Sequence, residues 1–491
     1  MRILLFLFLL LVLAAAASPY YIGSRIENEI RDQVAVYNNL PGYSVKVIRY
    51  NRGYRDSEVI FSIGLDESVT GSLQDEASDS SAAALDALLS GLRFPVDIQH
   101  GPVLDMHGLG LGLADFVWRF DQHHYPKQAD VFEAAGLKTL ITTTARLGFS
   151  GEGWLDTVIP DIDATYSEDD TDVRFTLSGY DDDVVFSHFG KVTDAAMRLD
   201  DMSVDVDDGA STFQIDLDGI MLFSDADTSE SILVGTNDTE LAIEVITLES
   251  DGPTGRQFAE IESARAQASV TAGERLETLN IRQSLRVQEA IFDEYELSNV
   301  DIAFSLLDIS KSLYKAYHDN TELFLSPASS PSVIEAFSNK IKPELQSALQ
   351  YSPRFELQRI AWSSNEGDLD LSGSAEFNSA VPPSTLDFDN PISLIPALEI
   401  ELQASASRSM IETIMEQQAR SSLPASIEEG APSEAELSAQ VSQQIDFMMP
   451  PLVEQGFVTR VDQLYSSSFN LSEGTMIING APIPLPFFLQ N

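Results

Sequence analysis

Cysteine is absent from the 491 residues, which excludes disulfides, thiolate nucleophiles, iron–sulfur clusters and cysteine-ligated zinc. Basic residues are scarce: 29 Lys+Arg stand against 77 Asp+Glu, a formal net charge of −48. A field of that sign repels phosphate backbones, so nucleic acid is excluded as a partner. The excess suits a cell living in salt, where hydrated carboxylates keep a surface soluble; divalent-ion sites are the sharper alternative. No Asp-x-Asp-x-Asp-Gly calcium loop occurs, and Asp181-Asp182-Asp183 reads as solvated loop charge. The six histidines (His100, His107, His123, His124, His188 and His318) contain no His-Glu-x-x-His spacing, and His123-His124 would point to opposite faces of a strand. Gly190-Lys191 lacks the glycines before it and the Ser/Thr after it that a phosphate loop needs. No cofactor or metal is expected from any of these.

Long uncharged runs are missing too, with one exception. Residues 3–22 carry no charge, and at ~1.5 Å per residue they cover the ~30 Å hydrocarbon layer of a bilayer. Arg2 and the terminal amine hold the leading end in the cytosol, while Tyr20 and Tyr21 suit the far interface. Residues 1–22 therefore read as a membrane anchor. A cleaved signal peptide is the alternative, because Ala15-Ala16-Ala17 before Ser18 is a small-residue cleavage site. On both readings the chain from residue 23 is exported.

The exported part is mostly alternation. Ile26, Ile30 and Val34 lie four apart and extend the helix outward until Pro41-Gly42. Tyr43, Val45 and Val47, then Val59, Phe61 and Ile63, form two strands meeting at Arg52-Gly53, a hairpin that would bring Tyr50 and Tyr54 together. Residues 75–92 read as a helical insertion, and residues 94–100 as a strand ending at Gly101-Pro102. Gly108, Gly110 and Gly112 alternate with leucines; Gly-x-Gly-x-Gly is no dinucleotide fingerprint and reads as a kinked strand or close backbone approach. From 138 to about 305, runs of five to eight residues show one apolar and one Asp/Thr/Ser face, the mark of an antiparallel meander. From 306 the spacing of Leu306, Ile309, Leu313 and Tyr317 predicts a helix, followed by mixed helices and strands to 456. Residues 457–491 read as a closing hairpin and a Pro-rich tail over a sheet edge.

Few positions suggest chemistry. Gly148-Phe149-Ser150-Gly151 is followed by Glu152 where a nucleophile elbow needs glycine, so a structural turn is the better reading. Paired carboxylates cannot be singled out among 77 acids. His100 most simply donates a hydrogen bond that fixes its turn, and Arg52 pairs with a carboxylate or backbone carbonyls.

Tyr50, Arg52, Gly53 and Ser57 form an aromatic-x-Arg-Gly-x-x-x-Ser element, and His100-Gly101-Pro102 follows it. Arg146, Gly148, Ser150 and Gly151 make an Arg-x-Gly-aromatic-Ser-Gly element, and residues 469–480 a terminal hairpin. In that order these elements resemble the YdgA-like family of bacterial envelope proteins, over nearly all of the exported part. The resemblance implies an uncleaved anchor in the inner membrane and a periplasmic body. It implies no activity, because that family has none assigned.

The expected architecture is α+β and β-rich: a long antiparallel sheet, extended or curved, with flanking amphipathic helices and one N-terminal membrane helix. Residues 23–491 form the exported body. The expected function is that of a non-enzymatic scaffold or binding protein, touching phospholipid or another envelope protein. A lipid-handling groove is the alternative, and an envelope-polymer hydrolase using His100 a more distant one. The Asp-rich alternation of 202–218 speaks against a channel apolar on both faces.

Overall fold

A computed structural model describes residues 2–38, 43–65, 93–125, 129–168, 171–187, 192–227, 235–252, 255–293, 295–318, 331–378, 380–383, 386, 391–421 and 434–483, with side chains described for most of them from residue 18 onward. The expected insertion at 75–92 and the end of the Pro-rich tail lie outside them. The fold is α+β and dominated by antiparallel strands, as the alternation predicts. It divides into two compact units, one built mainly from residues 1–212 and the other mainly from 240–311 and 345–491.

The first unit opens with α1 (Arg2–Tyr37), whose outer half carries the Ile26–Ile30–Val34 stripe. Among the described residues no helix is long and apolar enough to cross a membrane. Its strands are β1 (Tyr43–Arg52), β2 (Asp56–Leu65), β3 (Arg93–His100), the short β4 (Val103–Leu104) and β5 (Gly110–Leu111), and β6 (Ala114–Asp121). The short helix α2 (Ala129–Ala134) follows, then β7 (Thr139–Leu147), β8 (Gly153–Val158), β9 (Ile162–Glu168), β10 (Thr171–Ser178), β11 (Asp181–Ser187) and β12 (Val192–Asp207).

Pairing is a plain meander, β1–β2–β3–β6–β7–β8, every neighbour antiparallel. β8 and β9 then behave as one broken lane: β8 pairs β11 and β9 pairs β10 in a single continuous alignment, and β12 runs along both partners. Where the connections are short, as at β1–β2 and β7–β8, a hairpin return leaves no room for a crossover.

Two apolar clusters hold the unit. Ile22, Ile26, Val59, Ile98 and Ala114 join α1 to the sheet. Tyr125, Phe132 and Leu140 seat α2 against the strands. Each buried branched side chain of this size stabilises by roughly 1.5–3 kcal/mol.

Further along the chain run β13 (Thr212–Asp227) and β14 (Thr236–Gly252). The second unit is again a meander: β15 (Gly255–Ala272), β16 (Thr278–Phe292), β17 (Tyr295–Ser310), β18 (Arg354–Ser364), β19 (Gly367–Phe377) and β20 (Leu398–Ser407), paired in that order. The chain also forms α3 (Lys311–His318), α4 (Pro331–Ala348), α5 (Arg408–Ser421) and α6 (Glu434–Glu454). β20 continues to β22 (Leu464–Ser472), which carries β21 (Thr459–Val461) and leads through β23 (Thr475–Ile478) to β24 (Ala481–Ile483). The start of the Pro-rich tail thus adds a strand, Pro482 lying opposite Ile477. Arg408 ties α5 to α6, bonding Glu412, Asp446 and Ser442 at 2.9, 2.7 and 3.1 Å.

Three expectations about the elements need correction. Asp181-Asp182-Asp183 open strand β11 and do not lie in a loop, because they pair with Arg198, Met197 and Ala196 of β12. The helix expected from Leu306 begins only at Lys311, because Leu306 and Leu307 pair with Phe355 and Arg354 of β18 and sheet hydrogen bonds override the helical spacing. His123 and His124 lie in the turn after β6, not in a strand, with His124 bonded to Asp121 at 2.9 Å.

Candidate functional site

Tyr50, Arg52, Ser57 and His100 of the motifs converge on the place where α1 meets the sheet. Ser57, Val59, Ile98 and His100 are buried on one face, and register aligns Arg52 with Ser57, Ser57 with Ile98 and His100 with Ala114. Tyr50 packs against the same cluster. Tyr54, beyond the turn, is exposed, so the hairpin sends the two tyrosines in opposite directions. The turn itself is closed by the Gly53 amide donating to the Asp56 carbonyl at 2.8 Å.

Helix α1 lies across this face. Ile22 and Ile26 enter the core, and between them Gly23 sits directly against the His100 ring; a Cβ at Gly23 would fall within the imidazole. Arg52 grips the helix from the side, donating to Glu27 at 3.1 Å and to the Tyr20 hydroxyl at 3.2 Å, its guanidinium 4.9 Å from the Tyr20 ring centroid.

The interior of this joint is polar and poorly matched. The Tyr50 hydroxyl, the Ser57 hydroxyl and both His100 ring nitrogens are buried without a well-formed hydrogen bond, Tyr50 and Ser57 within weak reach of each other and His100 of the Tyr54 backbone. The His100 ring makes only a weak approach to the Tyr54 backbone, short of a well-formed bond; the turn is held chiefly by backbone, with the His100 amide on the Arg55 carbonyl at 2.6 Å and Gly101 on Leu113 at 2.7 Å. Burial holds the His100 pKa below the ordinary histidine value, against the pull of the nearby Asp56 carboxylate. Burial likewise pushes the Tyr50 phenol up.

The opposite face of the same strands carries a second arrangement. Gln99 and Asp115 are register partners, as are Asp115 and Arg146. Asp115 is fully buried and receives Arg146 through two bonds, Nε at 2.7 Å and Nη2 at 2.9 Å. Arg146 also donates to the Gly108 carbonyl at 2.9 Å, and the carboxylate lifts its pKa further. Gln99 holds Asp105 and Met106 from the other side, accepting their amides at 2.7 and 3.0 Å. These contacts strap the loop of residues 101–113 to the sheet. Gly101, followed by Pro102 across a cis peptide, lies so close to the Gly112 carbonyl that no side chain fits. Gly148, Ser150 and Gly151 form the β7–β8 turn, Gly148 donating to the Glu152 carbonyl at 2.7 Å.

The sequence reading missed Gly23, Gln99 and Asp115. A signal existed for two of them. Gly23 falls on the apolar stripe of α1, and Asp115 is the only charge in the first five residues of an apolar strand. Among the described residues no three carboxylate or imidazole groups gather as a metal site. A separate cavity in the second unit, about 300 Å³, is lined by Phe292, Tyr295, Leu297, Trp362, Met410 and Ile414, with Glu296 and Glu366 among its polar atoms and no basic residue.

A family model described as a bacterial protein of unknown function, DUF945, matches residues 1–486. The chain belongs to the DUF945 family. Both halves of the DUF945 joint, the α1 seat and the strapped loop, thus lie inside the shared region. That agrees with the coarser part of the resemblance, a bacterial family without assigned activity. No curated protein and no solved structure matches this DUF945 chain.

Proposed function

We propose that this DUF945 protein is a YdgA-like envelope protein: residues 1–22 hold it in the inner membrane, and the body from residue 23 stands in the periplasm as a non-enzymatic scaffold or binding protein. One observation carries the reading. The helix that continues the uncharged run is part of the body's own core, with Ile22 and Ile26 buried against Val59, Ile98 and Ala114. Whatever holds residues 3–17 then holds the sheet without a flexible linker. Tyr50, Arg52, Ser57 and His100 serve that joint, and a fully buried His100 beneath a helix is poorly placed to meet a polymer substrate.

A carboxyl-terminal alkaline phosphatase fusion tests the address. The expected result is phosphatase activity in a membrane pellet that survives alkaline washing, with residues 1–22 retained by mass. A fusion active only as a cytosolic reporter would contradict it.

A second reading, ligand binding, is favoured by the cavity of the second unit. Its aromatic and aliphatic walls suit an apolar group, and its two carboxylates without a cation suit a neutral or cationic end better than a phosphate. Native mass spectrometry of detergent-extracted protein reads this directly: a bound small amphiphile supports the reading, and a ligand-free spectrum counts against it.

A further inference from the structure

We infer that the loops at one end of the first unit form a second, shallow membrane contact, dipping into the lipid headgroup region beside the anchor. The inference rests on the anchored reading above and adds a surface to it.

Topology brings these loops together. The β1–β2 turn, the chain from His100 to Ala114, and the β7–β8 turn all lie at the same end of the meander, because Asp56 pairs with Gln99, His100 with Ala114, Ala114 with Leu147 and Leu147 with Gly153. Helix α1 runs antiparallel to β1: Tyr20 meets Arg52 at this end, and Asn38 meets Val45 at the other. The uncharged chain before Tyr20 therefore leaves the body at the end where the three loops sit.

That end is apolar at its tips. Leu109 is 86% exposed and Leu111 69%, and Val103 of the same loop is exposed as well. Tyr54 projects from the first turn and Phe149 from the third, while Tyr20 and Tyr21 flank them on the helix. At the far end the turn after β6, Gln122-His123-His124, is polar, and Val158 is exposed there as a single apolar side chain. Exposed leucine, phenylalanine and tyrosine gathered at one rim are costly in water and match the interface where aromatic belts sit. Nor is the rim left free to fold its leucines inward: Gln99 and Arg146 hold the loop from beneath. The rim's cations are matched, Arg52 by Glu27 and Arg55 by Asp105. Contact there depends on apolar insertion and not on attraction to anionic lipid.

The absence of cysteine makes the test direct. Full-length L109C and F149C, with V158C at the far end of β8 as control, are labelled with an environment-sensitive fluorophore and reconstituted in phosphatidylcholine vesicles. Lipids spin-labelled near the headgroup serve as quenchers. The expected result is blue-shifted emission and several-fold stronger quenching at 109 and 149 than at 158. If 109 and 149 match 158 while the protein stays with the vesicles through an alkaline wash, the rim contact is overturned and the anchor stands. A blue shift without lipid quenching would mean a protein covers the rim and also overturns it. If the full chain washes off the vesicles, the anchored reading fails and the rim contact with it.

Discussion

At His100 a titratable ring sits buried without a well-formed hydrogen bond. Gly23 lies directly against it, the Tyr54 backbone is within weak reach, and the charged groups near it are Asp56 and Arg52. A histidine whose pKa is lowered by folding binds fewer protons folded than unfolded, so stability rises with pH through that range. The contribution is fully present above the unfolded value of about 6.5 and is lost as pH falls toward the lowered folded value. Melting curves of the wild type and of H100L between pH 7.5 and 5.5 check this: the wild type is expected to lose stability on acidification, and H100L to lose less. Gly23→Ala should cost about 1–3 kcal/mol by overpacking the same ring, and G23A/H100A should recover much of that. Additive losses in the double variant would show that the two residues do not share one joint. The sequence singled out His100 through its Gly-Pro neighbours but assigned its ring a turn-fixing hydrogen bond where it makes only a weak approach to the Tyr54 backbone. That error has a physical source, since the partner that matters is a glycine 77 positions earlier that has no side chain to advertise the contact.

Elements were legible wherever one face is wet. β1, β2, β3, β7, β10 and the end of β12 alternate and fall where alternation puts them, while Asp181-Asp182-Asp183, read as loop charge, opens β11. Pattern reading failed where pairing decides: Leu306 and Ile309 fit a helix as well as a strand, and only β16 and β18 on either side hold them extended. The glycine-rich run near 110 was recognised as a close approach, but not as a loop strapped by Arg146 and Gln99, because each strap lies on a different strand. Arg146→Met leaves the fully buried Asp115 carboxylate without its cation, and removing one partner of such a pair costs about 3–5 kcal/mol. Chemical denaturation of R146M should show a loss of that order, largely relieved in R146M/D115L, where neither charge remains. A loss below about 1 kcal/mol in the single variant would mean that the strap contributes little to the loop or the fold.

For the molecule as a whole, composition announced the absences, and the uncharged run of residues 3–22 announced a direction of travel. The division into two units was not legible, because both units are built from the same alternating strands and no Pro/Gly-rich linker marks the boundary. Nor was the depth to which α1 enters the first unit, which depends on Ile22, Gly23 and Ile26 meeting β2, β3 and β6 much further along the chain. Everything proposed about anchoring follows from that meeting. Hydrogen exchange of the amides of residues 24–34 measures it most directly. If α1 belongs to the core, those amides exchange as slowly as the amides of β2 and β3 and open together with them. If they exchange at the rate of a free helix while β2 and β3 stay protected, the helix is a loose tether and the account is wrong.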